Sequence, residues 1–394
     1  MRKIFLSIVF LLCITNLQAA IQLSDSTKVS LLTCEPSQDA VYTYFGHTSI
    51  RIQDKANDID WIFNYGVFSF DQPYFIPKFI KGETDYELGI SYTDTFLNNY
   101  KQRGSTVYEQ TLNLTPQEKQ KLWDSLMHNY EPQNRTYRYN FVFDNCATRP
   151  CVMLALCCNG KLIYGGFLKK TTYRKLVEEH VGKDSWLKFG IDLVFGTDAD
   201  QVIGLNHEDL FLPTHVMQKI KQAVIVKDEE IRPILLSEQT YNANKKEKKI
   251  IPNFLKPATV CSFILIISLL IFILEKSKKR YAFWFDSIIF SCVGIAGFVI
   301  SYLMFFSNHP LVASNWNLLW TNPLNLIFGI SLFKKATRKY LVYYQYINCL
   351  FFIISLLLYV IKIQILNIAF MPLITLLLIR AILYISNQKK SISV

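Results

Sequence analysis

The chain has 394 residues, 51% of them hydrophobic, and a formal net charge of +11 at pH 7. Its Lys and Arg do not gather into a basic face for nucleic acid. They cluster beside long apolar runs, where they read as membrane topology signals. No phosphate-binding loop or dinucleotide fingerprint appears, and no cofactor is expected.

Arg2 and Lys3 precede an apolar run from Ile4 to Ile14, and Ala19 and Ala20 offer a small-residue cleavage site. This predicts a signal peptide over residues 1–20, with an uncleaved anchor as the alternative. Either exports the segment that follows. Residues 21–250 carry charges throughout and read as an exported domain. It holds Cys34, Cys146, Cys151, Cys157 and Cys158, an odd set that leaves at least one thiol unpaired. Exported cysteines usually pair, so Cys157 and Cys158 are expected to pack or to join a disulfide.

Val41 to Ile52 reads as a strand interrupted at Gly46-His47, followed by a turn at residues 54–57 and a partner strand from Ile59 to Tyr65. A turn centred on residues 55 and 56 sets His47 opposite Asn64. Asn64 is then the candidate to orient the imidazole, with Asp60 as the competitor. Thr115-Pro116-Gln117-Glu118 reads as a capping box opening a helix of about 15 residues. His128 on that helix is read as a surface residue. Asp144 or Asn145 is a good N-cap, placing Cys146 in a first helical turn where free amides and the helix dipole favour a thiolate. Pro150 sits deep for a helix start and is expected to kink it. Trp186 to Phe195 is amphipathic, suited to a membrane surface or to core packing. His180, His207 and His215 lack metal-ligand spacing, so no metal is expected.

Beyond residue 250 the chain is predicted to form a transmembrane domain over residues 251–394. Five apolar segments, at 257–274, 284–306, 317–333, 341–361 and 363–385, approach the length of a spanning helix. The third contains Asn322, Pro323 and Asn325, so it reads as a spanning or a broken helix. Lys276–Arg280, Lys334–Lys339 and Lys389-Lys390 fall on the inner side if the exported domain is outside, and loop 307–316 carries no Lys or Arg. That satisfies the positive-inside rule, with the Lys245–Lys249 cluster as the exception. The topology puts His309, Asn315 and Trp316 on the side of the exported domain, as a plain connecting loop or as a floor beneath a site.

A cysteine at a helix N-terminus with a histidine on a strand follows papain-like logic, in which the two meet in space. From spacing alone, a buried Cys146 and a core His47 stay open. The order His then Cys resembles the circularly permuted branch of the NlpC/P60-like thiol fold, which includes lecithin:retinol acyltransferase. Gly46-His47-Thr48, Asn64-Tyr65-Gly66 with Phe68 and Phe70, Lys81-Gly82 with Tyr86, Asp144 to Arg149, Ser307 to Pro310 and Asn315-Trp316-Asn317 resemble the Lnb family of lipoprotein N-acyltransferases. The resemblance implies an α+β permuted papain-like exported domain, then about five transmembrane helices in the cytoplasmic (inner) membrane. It implies Cys146 as nucleophile and His47 as base. The partners are then a phospholipid acyl donor, a lipoprotein acceptor and the membrane. Arg149 and Arg51 are candidate phosphate contacts, with a solvated role as the alternative. Tyr65, His309 and Asn315 complete the candidate substrate-binding set. Two rival functions are a membrane-anchored Cys–His hydrolase of lipids or wall peptides and a non-enzymatic scaffold.

Overall fold

The computed structural model describes residues 21–68, 73–166, 170–204, 207–244 and 251–392. The expected signal peptide, Phe70 and the Lys245–Lys249 cluster lie outside the described residues.

Alternating apolar residues build the exported domain around one sheet. In chain order its elements are β1 (Lys28–Cys34), β2 (His47–Asp54), β3 (Ile59–Val67), α1 (Phe75–Lys81), β4 (Asp85–Tyr92), α2 (Thr93–Arg103), β5 (Val107–Leu112), α3 (Pro116–Tyr130), β6 (Thr136–Arg138) and α4 (Thr148–Cys157). There follow β7 (Lys161–Ile163), β8 (Thr171–Thr172), α5 (Tyr173–Val181), α6 (Trp186–Val194), β9 (Val202–Ile203), α7 (Pro213–Ile220), β10 (Val224–Lys227), β11 (Glu230–Pro233) and β12 (Leu235–Tyr241). Seven strands pair antiparallel in the order β12-β5-β1-β2-β3-β4-β6. Side chains two apart share a face. Val29, Leu31, Ile50, Ile52 and Phe63 therefore bury one face with Trp123 and Leu126 of α3 and Leu154 of α4. Leu32, Cys34 and Ile62 bury the other with Phe96 of α2. The capping box at Thr115 forms as expected, with Thr115 N–H donating to Glu118 at 2.8 Å and Glu118 N–H to Thr115 Oγ1 at 3.3 Å.

Val41–Phe45 is a 3-10 turn and not the start of a strand. Gly46 has φ +77°, and a Cβ there would stand 2.5 Å from the Cys34 carbonyl oxygen, so the chain turns sharply before His47 opens β2. No disulfide forms among the described residues. Cys34, Cys151, Cys157 and Cys158 are free and buried, so the pairing expected of exported cysteines gives way to packing.

The membrane domain contains α8 (Pro257–Lys278), α9 (Phe283–Phe306), α10 (Asn317–Thr321), α11 (Leu324–Ser331), α12 (Arg338–Ile361) and α13 (Phe370–Ile392). Among the described residues four helices, α8, α9, α12 and α13, are long and apolar enough to cross a bilayer. The third apolar segment is broken at Asn322-Pro323 into α10 and α11, because Pro323 has no N–H to continue a ladder. It nevertheless runs from one end of the bundle to the other. Trp316 N–H donates to Gln364 just past α12 at 2.8 Å. The carbonyl of Leu332, just past α11, accepts from Arg338 Nε at 2.8 Å, and that guanidinium, at the start of α12, stacks 3.7 Å over Phe283 at the start of α9; Tyr384 of α13 donates to the Arg338 carbonyl at 2.7 Å. The last segment starts at Phe370 rather than near residue 363, since 362–369 form the outer link.

The same inner half holds an ion cluster that hydropathy passes over. Arg380 is fully buried and bonds Glu275 at 2.9 Å and Asp286 at 2.5 Å, joining α8, α9 and α13. A charge at this depth is tolerated only with partners.

α6 fastens the two domains. Its buried Asp192 takes Arg174 Nη1 at 3.0 Å, Lys188, and Asn367 Nδ2 at 2.8 Å. Asn317 Nδ2 donates to the Asp192 carbonyl at 3.0 Å, and Gln364 Nε2 to the Phe195 carbonyl at 2.9 Å. Phe189 packs edge-on against Phe370, with ring centroids 5.1 Å apart. The amphipathic stretch from Trp186 is thus a docking helix against the spans.

Candidate active site

His47 opens β2 and Asn64 lies on β3, both on the sheet face that carries α2. The observed register pairs Ile50 with Phe63 and Asp54 with Ile59. Continued outward, it sets His47 against Gly66, two residues from the expected partner. A two-residue offset keeps every side chain on its face, and diagonal neighbours remain in reach. His47 Nε2 accordingly meets Asn64 Oδ1 at 2.6 Å. As Asn Oδ1 can only accept, Nε2 carries the proton and Nδ1 is left for the thiol. Asp60 does not compete. It takes Arg51 and Thr93.

Cys146 stands at the mouth of α4. Asn145 Oδ1 accepts from the amides of Ala147 and Thr148 at 2.8 and 2.9 Å, and Asn145 Nδ2 ties to the Phe141 and Phe211 carbonyls. With Asn145 as the cap, and its carbonyl accepting from Arg149 N–H at 3.1 Å, Cys146 takes the first position after the cap, in the opening turn as expected. Pro150 is the third residue of α4, near enough to its start for the helix to run on to Cys157.

Gly66 lets the pair meet. It is a bulge in β3 at φ +100°, with Tyr65 opposite Leu88 and Val67 opposite Glu87. A Cβ at Gly66 would stand 3.5 Å from Cys146 Cβ and 3.8 Å from His47 Cε1. Bulges that re-aim side chains recur beside active sites.

The electrostatics favour an ion pair. Burial works against the Cys146 thiolate, yet its pKa falls below the ordinary 9.0 because His47 lies beside it and hydrogen-bonds it, and the amides of Thr48 and Cys146 point at the sulfur. Burial equally opposes the imidazolium, but the thiolate and Asn64 raise the His47 pKa above 6.5. The buried neighbours behave oppositely. Burial pushes Cys151 and Cys158 up to about 12.

Around the pair, Tyr100 of α2 stacks parallel to His47 at 6.4 Å. A cleft of about 410 Å³ is lined by His47, Asn64, Tyr42, Phe68, Tyr100 and Arg103. The buried Tyr137 hydroxyl has no hydrogen-bond partner and lies 4.0 Å from the same Gly66 Cβ position. Neither Tyr100 nor Tyr137 stood out in the sequence, where Tyr occurs 22 times.

The structure disperses the other expected contacts. Arg51 gives its guanidinium to Asp60 (2.7 Å) and Glu109 (2.9 Å), leaving a brace across the sheet instead of a phosphate contact. Tyr65 is buried in the core, its hydroxyl bonded by Asn129 at 2.9 Å. Arg149 chelates Asp144 through Nε and Nη2 at 2.6 and 2.7 Å and lies 3.6 Å over the Tyr137 ring. Asn315 is buried at the junction of the domains, where it donates to the Leu193 carbonyl at 2.9 Å. His309 Nε2 bonds the Phe79 carbonyl at 2.6 Å.

Two family models match the chain, the Lnb N-terminal periplasmic domain over residues 15–179 and the Lnb transmembrane domain over residues 247–391. No curated protein and no solved structure matches it.

Proposed function

The chain belongs to the Lnb family, a multi-pass membrane protein with a periplasmic domain, and from that premise we propose that it is a thiol-dependent lipoprotein N-acyltransferase of the inner membrane. The observation that carries this reading is the Cys146–His47–Asn64 constellation, held on a domain fastened to membrane spans. A strand-borne His preceding a helix-borne Cys also supports a permuted NlpC/P60-like core.

The chemistry divides into two transfers. The Cys146 thiolate adds to the ester carbonyl of a phospholipid. The amides of Thr48 and Cys146, with the unpartnered Tyr137 hydroxyl, stabilise the oxyanion. As the C–O bond breaks, the imidazolium of His47 protonates the departing alkoxide, leaving a thioester on Cys146. The amine of a lipoprotein's diacylglyceryl-cysteine then attacks the thioester. His47 takes the amine proton, the C–S bond breaks, and the thiolate is restored with an amide as product. Asn64 holds the ring in the orientation both steps need. Arg149 Nη1, outside the Asp144 chelate, is assigned to a phosphate oxygen.

Mass spectrometry of lipoprotein N-termini with and without the gene tests this. The expected result is loss of the N-acyl group without the gene, restored by the wild-type chain and not by Cys146→Ser. Unchanged N-acylation overturns it. Free fatty acid released in place of amide assigns the same thiol to a hydrolase.

A further inference from the structure

α1 has the sequence Phe-Ile-Pro-Lys-Phe-Ile-Lys, and none of its residues is buried. Ile76, Phe79 and Ile80, spaced i, i+3, i+4, share one face and are 69, 50 and 41% exposed, with Tyr74 just before them at 79%. In water such a helix has no core to hold it and is far shorter than an isolated helix needs. An exposed apolar patch of this kind marks a contact surface.

Its position names the contact. The Lys81 carbonyl accepts from Asn308 N–H at 2.8 Å, and the Phe79 carbonyl from His309. Both residues directly follow α9, which ends at Phe306, and Phe305 and Phe306 are themselves exposed. α1 therefore lies beside the outer end of a membrane span, at the level of the outer leaflet. Lys78 sits in its last turn, placed to extend toward lipid phosphates, while Lys81 pairs with Glu83 at 2.8 Å.

Its other side leads inward. Phe79 stacks on Phe75 (6.1 Å), Phe75 on Phe68 (6.0 Å) and Phe68 on Tyr86 (4.9 Å), which meets Tyr139 at 4.2 Å. Phe68 lines the cleft with His47 and Asn64. Tyr86 lies opposite Tyr137 of β6, whose hydroxyl is 4.0 Å from the Gly66 Cβ position that stands 3.5 Å from Cys146 Cβ, so the ladder ends beside the thiol.

We propose that α1 is immersed in the outer leaflet and that the Phe79–Phe75–Phe68 ladder is the acyl-chain site, carrying one chain of a membrane phospholipid from the bilayer to Cys146. The site rests on the acyltransferase reading. His309 is then a positioning residue that pins α1 to the end of α9.

The test uses the full chain in vesicles of phosphatidylethanolamine and phosphatidylglycerol containing a phosphatidylethanolamine with a diazirine near the end of one acyl chain. After illumination of the Cys146→Ala variant, adducts are mapped by peptide mass spectrometry. Adducts on residues 74–80 and on Phe68 or Tyr42, beyond those on the spans, are the expected result. The Ile76→Asp/Ile80→Asp double variant lowers them by about tenfold or more, in line with the loss of apolar burial at two sites. Adducts confined to 257–392, while wild-type Cys146 becomes acylated in the same vesicles, overturn the acyl-chain site and leave the thiol chemistry standing. Adducts on 74–80 without acylation of Cys146 support the lipid site and count against the acyltransferase reading.

Discussion

The Cys146 site and the junction around α6 both gather polar side chains away from water, and they treat them in opposite ways. At the junction, Asp192 meets Arg174, Lys188 and Asn367, while Asn315, Asn317 and Gln364 close on backbone carbonyls. Polar groups there are bonded in place, as a network that rigidifies must be. At the site, the Tyr137 hydroxyl is unpartnered and two amides point at a sulfur. Donors are left for a ligand at the one place and spent on the fold at the other. That difference also explains why His309 and Asn315 divide from Cys146, although all carry residue types that catalysis uses.

Mutations should split along the same line. Cys146→Ser is expected to lower acyl transfer by about 10⁴-fold or more while the melting temperature stays put, read by product formation and thermal unfolding. Arg174→Met should do the reverse. It strips partners from buried Asp192 and from Asp200, which Arg174 meets at 2.6 Å, and costs about 3–5 kcal/mol of stability in denaturant unfolding. Asn64→Ala frees the imidazole and should slow transfer by about ten- to a hundredfold. Its signature is a pH profile. Asn64 raises the His47 pKa, so its loss makes the imidazolium less favourable and shifts the midpoint of Cys146 alkylation by iodoacetamide upward. His47→Ala shifts it further, because the imidazolium no longer offsets burial and the amides of Thr48 and Cys146 act without it. A purely structural Asn64 would leave that midpoint unmoved. Asn315→Ala should cost about 1–3 kcal/mol and leave Cys146 alkylation at wild-type rate.

Much of this was legible in the sequence, for reasons that differ by residue. Asn64 was found through a register two residues off, because strand side chains repeat every two and the face was right. The N-cap at Asn145 and the break at Asn322-Pro323 were local, and local chemistry reads directly. Arg51 was misplaced because its carboxylate partner Glu109 sits two strands away across the sheet. Arg380 was hidden because one charge barely alters the hydropathy of a long apolar run, and its partners are over 90 residues distant. Tyr137 and Tyr100 carried no signal in isolation. Their meaning comes from the space beside Gly66.

The central claim is that Cys146 becomes acylated. Intact-mass measurement of the purified chain in phospholipid vesicles, without an acceptor, tests it most directly. The account predicts an adduct of one fatty acyl group, mapped to Cys146, removed by hydroxylamine, passed on when a diacylglyceryl-cysteine peptide is added, and absent in Cys146→Ala. Normal N-acylation of that peptide by the Cys146→Ala chain would contradict it.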